Sequence, residues 1–323
     1  MKLRLGTRKS ALAQAQARWV SDRLRAAIPA LEIELVLITT SGDSYPHPLT
    51  PSPSNMEKGN KNPSPYLRER VKGEGGLKAL FTKEIEEALL GGRIDMAVHS
   101  LKDMASELPK GLVIGAVPPR EDPRDAWVSR DRIPFASLPK GAQVGTGAVR
   151  RQAQLRHLRP DLQLVAVRGN VDTRLRQLQE NGLDGLVLAL AGLKRLGRQT
   201  AATEALSPDV LLPAVGQGFL AIETREKNAA ADAFLKVLDD PASHSAAMAE
   251  RAFLETLGGS CQTPIAAYAQ IDRRELSISG LVASLDGATL LRDKESGSPK
   301  EAPAIGRRLA EKLLAAGAGK ILQ

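Results

Sequence analysis

Short apolar runs and amphipathic stretches take turns along most of this chain, and that alternation limits the folds open to it. Strand Lys2 to Leu5, a turn at Gly6 to Lys9, a helix from Ser10 to Ala27 with Ser10 as N-cap, and strand Glu32 to Thr39 form a β-α-β opening. The pattern continues with helix Lys78 to Leu90 and strands Asp95 to Val98, Leu112 to Ala116 and Gln143 to Gly145. Helix Val149 to Leu158, strand Leu164 to Val167, helix Asp172 to Glu180 and strand Gly185 to Leu190 follow. Such alternation buries parallel or mixed sheets under helices on both faces, so the fold class is α/β.

After Leu190 the character changes. Two helices, Ala229 to Leu238 and Ser243 to Leu257, lead into strands Ile265 to Gln270, Glu275 to Ala283 and Thr289 to Lys294 and a helix from Pro303 to Ala316. Asp286-Gly287 marks a hairpin between the last two strands, which makes a small C-terminal α+β unit. Ser44 to Arg70 fits no element: prolines at 46, 48, 51, 53, 63 and 65 interrupt a polar stretch, and it reads as disordered.

Bulk numbers narrow the function. A chain of 323 residues has material for two or three domains. No uncharged apolar run approaches the roughly 20 residues needed to cross a bilayer, Met1 to Ser10 lacks a signal-peptide block, and a lone cysteine suits a reducing compartment. A cytoplasmic protein without a membrane partner is expected. The net charge of +8 attracts anions, but aromatics at 3% leave little for base stacking, so small acidic ligands in a cleft fit better than nucleic acid.

In an open α/β sheet, ligands bind at the carboxyl ends of strands, where helix N-termini offer free N–H groups. The arginines gather there: Arg8 after the first strand, Arg150 and Arg151 after Gly145, Arg168 after Val167, with Arg174 in the helix that follows. Each alone reads as a surface charge; several at equivalent loops build an anion site, because guanidinium forks pair carboxylates bidentately. Asp103 follows His99-Ser100-Leu101-Lys102 at a strand exit, where an acid can stabilise a cation or move protons. Gly216-Gln217-Gly218 reads as a hinge or a plain turn. The four histidines, at 47, 99, 157 and 244, show no ligand spacing, and no metal site is expected.

Cys261 lies in a Gly258-Gly259-Ser260-Cys261-Gln262-Thr263-Pro264 turn. It cannot pair within the chain, and is a nucleophile, a covalent anchor or an inert core atom. The flanking glycines favour a displayed thiol.

Taken together, GTRKSALAQAQA, LFTKEIEEALL, DMAVHSLKDM, PREDPRDAWVS, VGTGAVRRQAQL, VRGNVDTRL, LALAGLKRLG, LLPAVGQG, ERAFLETLGGSCQTPIAAY and GLVASLDG are collinear over nearly the whole chain. On these words the chain resembles the porphobilinogen deaminase (hydroxymethylbilane synthase) family. The resemblance implies two lobes like type II periplasmic binding proteins, residues 1–118 with 219–236 and residues 124–212, plus a C-terminal domain at 241–323, with an insertion near 44–72. It implies a monomer that joins four porphobilinogen molecules, releases ammonia, and frees hydroxymethylbilane by hydrolysis. By the same resemblance Cys261 tethers a dipyrromethane cofactor, and Asp103 with Lys102 is catalytic, the carboxylate stabilising the azafulvene cation left when ammonia departs. Ser10, Lys102, Asp103, Gly147, Ala148, Arg150, Arg151, Arg174 and Arg195 match cofactor-binding positions. Arg8, Gln16, Asp43, Lys78 and Arg168 match substrate-binding positions. Gly147 and Ala148 stand where the family usually has serines, Ser260 where it has glycine, and Ala105 where it has proline. The rival reading is a non-catalytic two-lobed protein that holds a small polycarboxylate.

Overall fold

The computed structural model describes residues 2–41, 79–260 and 263–322. The sequence expectations for Asp43, the 44–72 segment, Lys78 and Cys261 fall outside them. Helices are α1 Ala11–Ala27, α2 Ala79–Leu90, α3 Val149–Leu158, α4 Val171–Glu180, α5 Leu190–Arg195, α6 Asp232–Leu238, α7 Pro241–Thr256, α8 Ala302–Ala315 and α9 Ala318–Ile321. Strands are β1 Lys2–Arg8, β2 Glu32–Ile38, β3 Met96–Ser100, β4 Leu112–Ala116, β5 Asp125–Ser129, β6 Gln143–Gly145 and β7 Gln163–Val165. They continue with β8 Gly185–Ala189, β9 Glu204–Leu206, β10 Leu220–Arg225, β11 Ile265–Asp272, β12 Glu275–Ala283 and β13 Leu290–Gly297.

These strands form two five-stranded mixed sheets, ordered β2-β1-β3-β10-β4 and β7-β6-β8-β5-β9, and a three-stranded sheet β11-β12-β13. Both larger sheets follow one plan: three parallel strands, then an antiparallel one, then an edge. In the first sheet the antiparallel strand is β10, which reaches β3 and β4 only after the whole second sheet has been traversed. The chain therefore crosses between the sheets twice, at 117–124 and at 207–219.

Local chemistry explains the elements that carry the site. Ser10 is extended (φ −63°, ψ 146°) and its side chain accepts the Ala13 N–H, which caps α1 as expected. Ala13, Gln16, Ala17, Val20 and Leu24 then recur at helical spacing and are buried, with Ala17, Val20 and Leu24 packing with Leu3 and Leu5 of β1 and Met96 and Val98 of β3. The second sheet has its own core of Trp127, Val144, Leu155, Val187 and Leu211.

The C-terminal unit is fastened at several points. Glu250 of α7, fully buried, accepts the Gly216 N–H at 2.7 Å and the Ala269 N–H at 2.8 Å. It also pairs with Arg120 at 2.9 Å, and that guanidinium lies 3.9 Å over the Phe219 ring. One buried carboxylate thus joins both crossings to the third sheet. Arg251 donates to the carbonyls of Ala105 and Ser106, at 3.0 and 2.6 Å, holding the loop just past Asp103. The β12–β13 hairpin turns at Gly287 (φ +76°) and sits on α3, where a Cβ would come within 2.7–2.8 Å of Arg156 Cβ, Ala153 O and His157 N. His157 Nδ1 meets the Gly287 carbonyl at 2.9 Å, and Arg156 donates to the Leu285 carbonyl. Among the described residues no helix is long and apolar enough to cross a membrane.

Candidate active site

Asp103 ends a short 3₁₀ turn, Leu101–Asp103, at the exit of β3. It lines an open cavity together with Arg8, Ser10, Gln16, His99 and Ser100. An adjoining cavity at the second crossing is lined by Lys102, Arg195 and Gly216 to Phe219. Gln16 and Ser100 line both, joined by a 2.7 Å bond from Gln16 Nε2 to Ser100 Oγ.

The arginine pair is placed differently from a solvent-facing clamp. Arg150 and Arg151 open α3 but are 5% and 4% exposed, and both grip Asp125, the first residue of β5. Arg150 Nη1 donates to Asp125 Oδ2 at 2.8 Å and to Leu212 O at 3.0 Å; Nη2 donates to Asp125 Oδ1 and Gln217 Oε1 at 3.0 and 3.1 Å. Arg151 Nη2 donates to Asp125 Oδ1 at 2.7 Å and Nη1 to Val187 O at 2.9 Å, while its Nε is buried with no partner among the described residues. Burial alone would raise the Asp125 carboxyl, but the two guanidiniums outweigh it and hold it far below the usual carboxylate range.

Electrostatics bind the remaining residues into one field. Burial pushes the Lys102 ammonium down to about 8, with Arg151 and Arg150 acting the same way and Asp103 opposing them. Burial likewise brings Arg174 down to about 10, against Asp103 and with help from Arg151 and Arg168. Arg195 falls to about 10 through burial, opposed by Glu121, and donates to the Gly218 carbonyl at 2.7 Å. Arg174 Nε donates to Gly169 O at 2.8 Å. Lys102, Arg150, Arg151, Arg168 and Arg174 thus share a region with the carboxylates of Asp103 and Asp125, an excess of positive charge that a polyanion would complete.

Gly147 and Ala148 lead into α3. Ala148 is the N-cap and offers no side-chain acceptor, so the first-turn N–H groups of α3 receive none from the cap. At Gly147 a Cβ would lie 2.6 Å from the Val167 carbonyl, which accounts for glycine there in this chain. The structure brings Ser10, Gln16, Arg8 and Asp103 to one cavity and Lys102 and Arg195 to its neighbour, with Arg150, Arg151, Arg168 and Arg174 in the charged region beyond.

Sequence reasoning gave no role to Asp125, Glu223 or Glu250, and read Gln217 only as part of a hinge or turn. Each is polar yet at most 1% exposed, and for Asp125 and Glu223 a signal existed: an acid directly beside an apolar run, AWV in β5 and LAI in β10. Among the described residues no cluster of three or more His, Cys, Asp or Glu could hold a metal ion.

Comparison with known proteins accounts for this arrangement. Residues 3–233 match the family model described as "Porphobilinogen deaminase, dipyromethane cofactor binding domain", and residues 245–315 match "Porphobilinogen deaminase, C-terminal domain". The chain is 48% identical to the porphobilinogen deaminase of Syntrophotalea carbinolica over 320 residues, covering 99% of this chain and 95% of that protein. It is 46% identical to that of Moorella thermoacetica over 323 residues, covering 100% and 96%. Among solved structures, the methionine-binding protein MetQ aligns with 73% of this chain and 89% of its own at 14% identity and a TM-score of 0.39. With matches that run from the first strand to the last long helix, this chain belongs to the porphobilinogen deaminase family.

Proposed function

We propose that this protein is a hydroxymethylbilane synthase, a transferase of tetrapyrrole synthesis that condenses four porphobilinogen molecules with loss of ammonia and releases the linear product by hydrolysis. One observation carries the reading beyond family membership: among the described residues, Asp103 is the one carboxylate lining the cavity, beside a region crowded with arginine and lysine. Porphobilinogen carries two carboxylates and becomes a cation at its reacting carbon as ammonia leaves. The arginines suit the first property and Asp103 the second.

The residues also fit a dipyrromethane cofactor. Its four carboxylates suit the excess of cations, and the buried Nε of Arg151, without a partner among the described residues, is a donor of the kind a carboxylate completes. Bound, that group supplies the terminal pyrrole ring to which the first substrate is joined. In this reading Cys261 forms its covalent link. Ser10, Lys102, Arg150, Arg151, Arg174 and Arg195, with the backbone N–H groups of Gly147 and Ala148, hold its side chains. Arg8, Gln16, Arg168, Lys78 and Asp43 receive substrate. Asp103 accepts pyrrole N–H groups and offsets developing positive charge, and Lys102 supplies a cation beside it. We read the chain as three units, residues 1–118 with 219–236, 124–212 and 241–323, acting as a cytoplasmic monomer.

Intact-mass measurement tests this reading. Purified protein is expected to carry a covalent adduct of two pyrrole units, lost in Cys261→Ala, and to release ammonia from porphobilinogen. Folded protein with an unmodified mass and no ammonia release would overturn it.

A further inference from the structure

The chain changes cores as it leaves β3. Met96 and Val98 of that strand belong to the core beneath the first sheet, whereas Leu101 and Met104, 2% and 1% exposed, belong to the core of the C-terminal unit with Phe253 and Leu254 of α7. Leu101 opens the 3₁₀ turn that carries Lys102 and Asp103, and Met104 is its C-cap. The turn is thus seated on a different layer from the strand that leads into it.

Contacts on both sides fix its backbone. The Leu101 N–H donates to the Phe219 carbonyl at 3.1 Å, at the end of the second crossing. Gly216 of the same crossing packs so closely that a Cβ there would lie 2.8 Å from Lys102 N and 3.0 Å from Leu101 C. Past Asp103 the hold comes from α7: Arg251 donates from Nη1 to Ala105 O at 3.0 Å and from Nη2 to Ser106 O at 2.6 Å. Burial lowers the Arg251 guanidinium, with Glu255 and Glu223 opposing, so these bonds are made out of bulk water, where a charged donor binds a carbonyl more firmly. Asp103 itself is exposed, and its carboxylate stands where the backbone on either side puts it.

We propose that Arg251 is a positioning residue for the reaction, acting through Asp103 by fixing the loop that leaves its turn. This rests on the deaminase reading. Arg251 lies outside the described lining of either cavity, so it reaches the chemistry by way of the two carbonyls it grips. Stabilising a cation that develops on bound substrate demands a counter-charge already in place, and that effect is lost when the group is displaced. The C-terminal unit therefore has a part in placing the carboxylate that β3 delivers from the first sheet.

A double-mutant cycle tests it. Ammonia release from porphobilinogen is followed for the parent holoenzyme, Arg251→Met, Asp103→Asn and the double variant, each with its adduct checked by mass. Arg251→Met is expected to lower kcat on the order of 10-fold with KM nearly unchanged. In the Asp103→Asn background the same substitution should leave the remaining rate unchanged, because the carboxylate it places is gone. An arginine that merely stabilises the fold gives another pattern, an equal fold-loss with and without the Asp103 carboxylate. That pattern, or a parental kcat in Arg251→Met, overturns the proposal while leaving the deaminase reading intact. Should Arg251→Met fail to fold, the cycle is run with Arg251→Lys and read by the same criteria. A parent that releases no ammonia overturns both.

Discussion

Asp125 is the clearest case of one residue setting the state of several others. It pairs with both Arg150 and Arg151 at distances of 2.7 to 3.0 Å inside the second sheet, offsetting one of their two charges, and Gln217 Nε2 also donates to it at 2.8 Å. Removing one partner of such a buried group leaves uncompensated charge, so Asp125→Ala is expected to cost about 3–5 kcal/mol in urea unfolding. The pH dependence has a definite sign. The folded carboxyl titrates far below the free aspartate value of about 3.9, so its stabilisation is complete at neutral pH and erodes only as pH falls below about 4. Asp125→Asn should flatten that acid limb when urea midpoints are followed against pH. Lys102 behaves in the opposite sense. Its folded value of about 8 lies below the free lysine value of about 10.4, so the unfolded chain binds the extra proton between the two and stability rises with pH there. An arriving polycarboxylate restores the charge. Calorimetry in buffers of different ionisation enthalpy should therefore show proton uptake on ligand binding near pH 9, absent in Lys102→Arg. For Asp103→Asn, ammonia release should fall at least 10²-fold with unchanged melting, since the amide cannot offset a cation at a residue whose side chain is exposed. The exposed and loop-borne groups, Asp103 and Arg168 among them, were legible because their chemistry sits beside glycine and strand-exit signals. The buried clamp was not, because nothing in a linear pattern says that Arg150 and Arg151 turn inward toward a carboxylate on another strand.

Among the elements, α3 joins two tasks: its first turn carries the arginine pair and its last turn receives the β12–β13 hairpin. Gly287→Ala combines a positive φ with a Cβ inside contact distance of three α3 atoms, and should cost about 2 kcal/mol, read as a lower melting temperature. The hairpin itself was legible in Asp286-Gly287, as were α1 with its Ser10 cap and α3 to the residue. Strands β5 and β9 and helix α5 were not. Each has only three to six residues, and β9 leaves too few turns of the pleat to show a period. β7 ends at Val165, two residues earlier than its apolar run, because the chain leaves the sheet to bring Arg168 and Gly169 (φ +99°) toward α4.

At the level of the molecule, α/β class and a separate antiparallel C-terminal sheet followed from periodicity alone, since a switch from helix-strand alternation to consecutive strands is local information. Strand order was out of reach: β10 lies between β3 and β4 although about 100 residues of chain intervene, and only packing decides that. That placement has a consequence for synthesis. The second sheet is made wholly of residues 125–206, whereas the first lacks an interior strand until residue 225 has been added. As the polypeptide leaves the ribosome, the middle of the message can settle while its beginning must wait, open along one strand and dependent on what has yet to be translated.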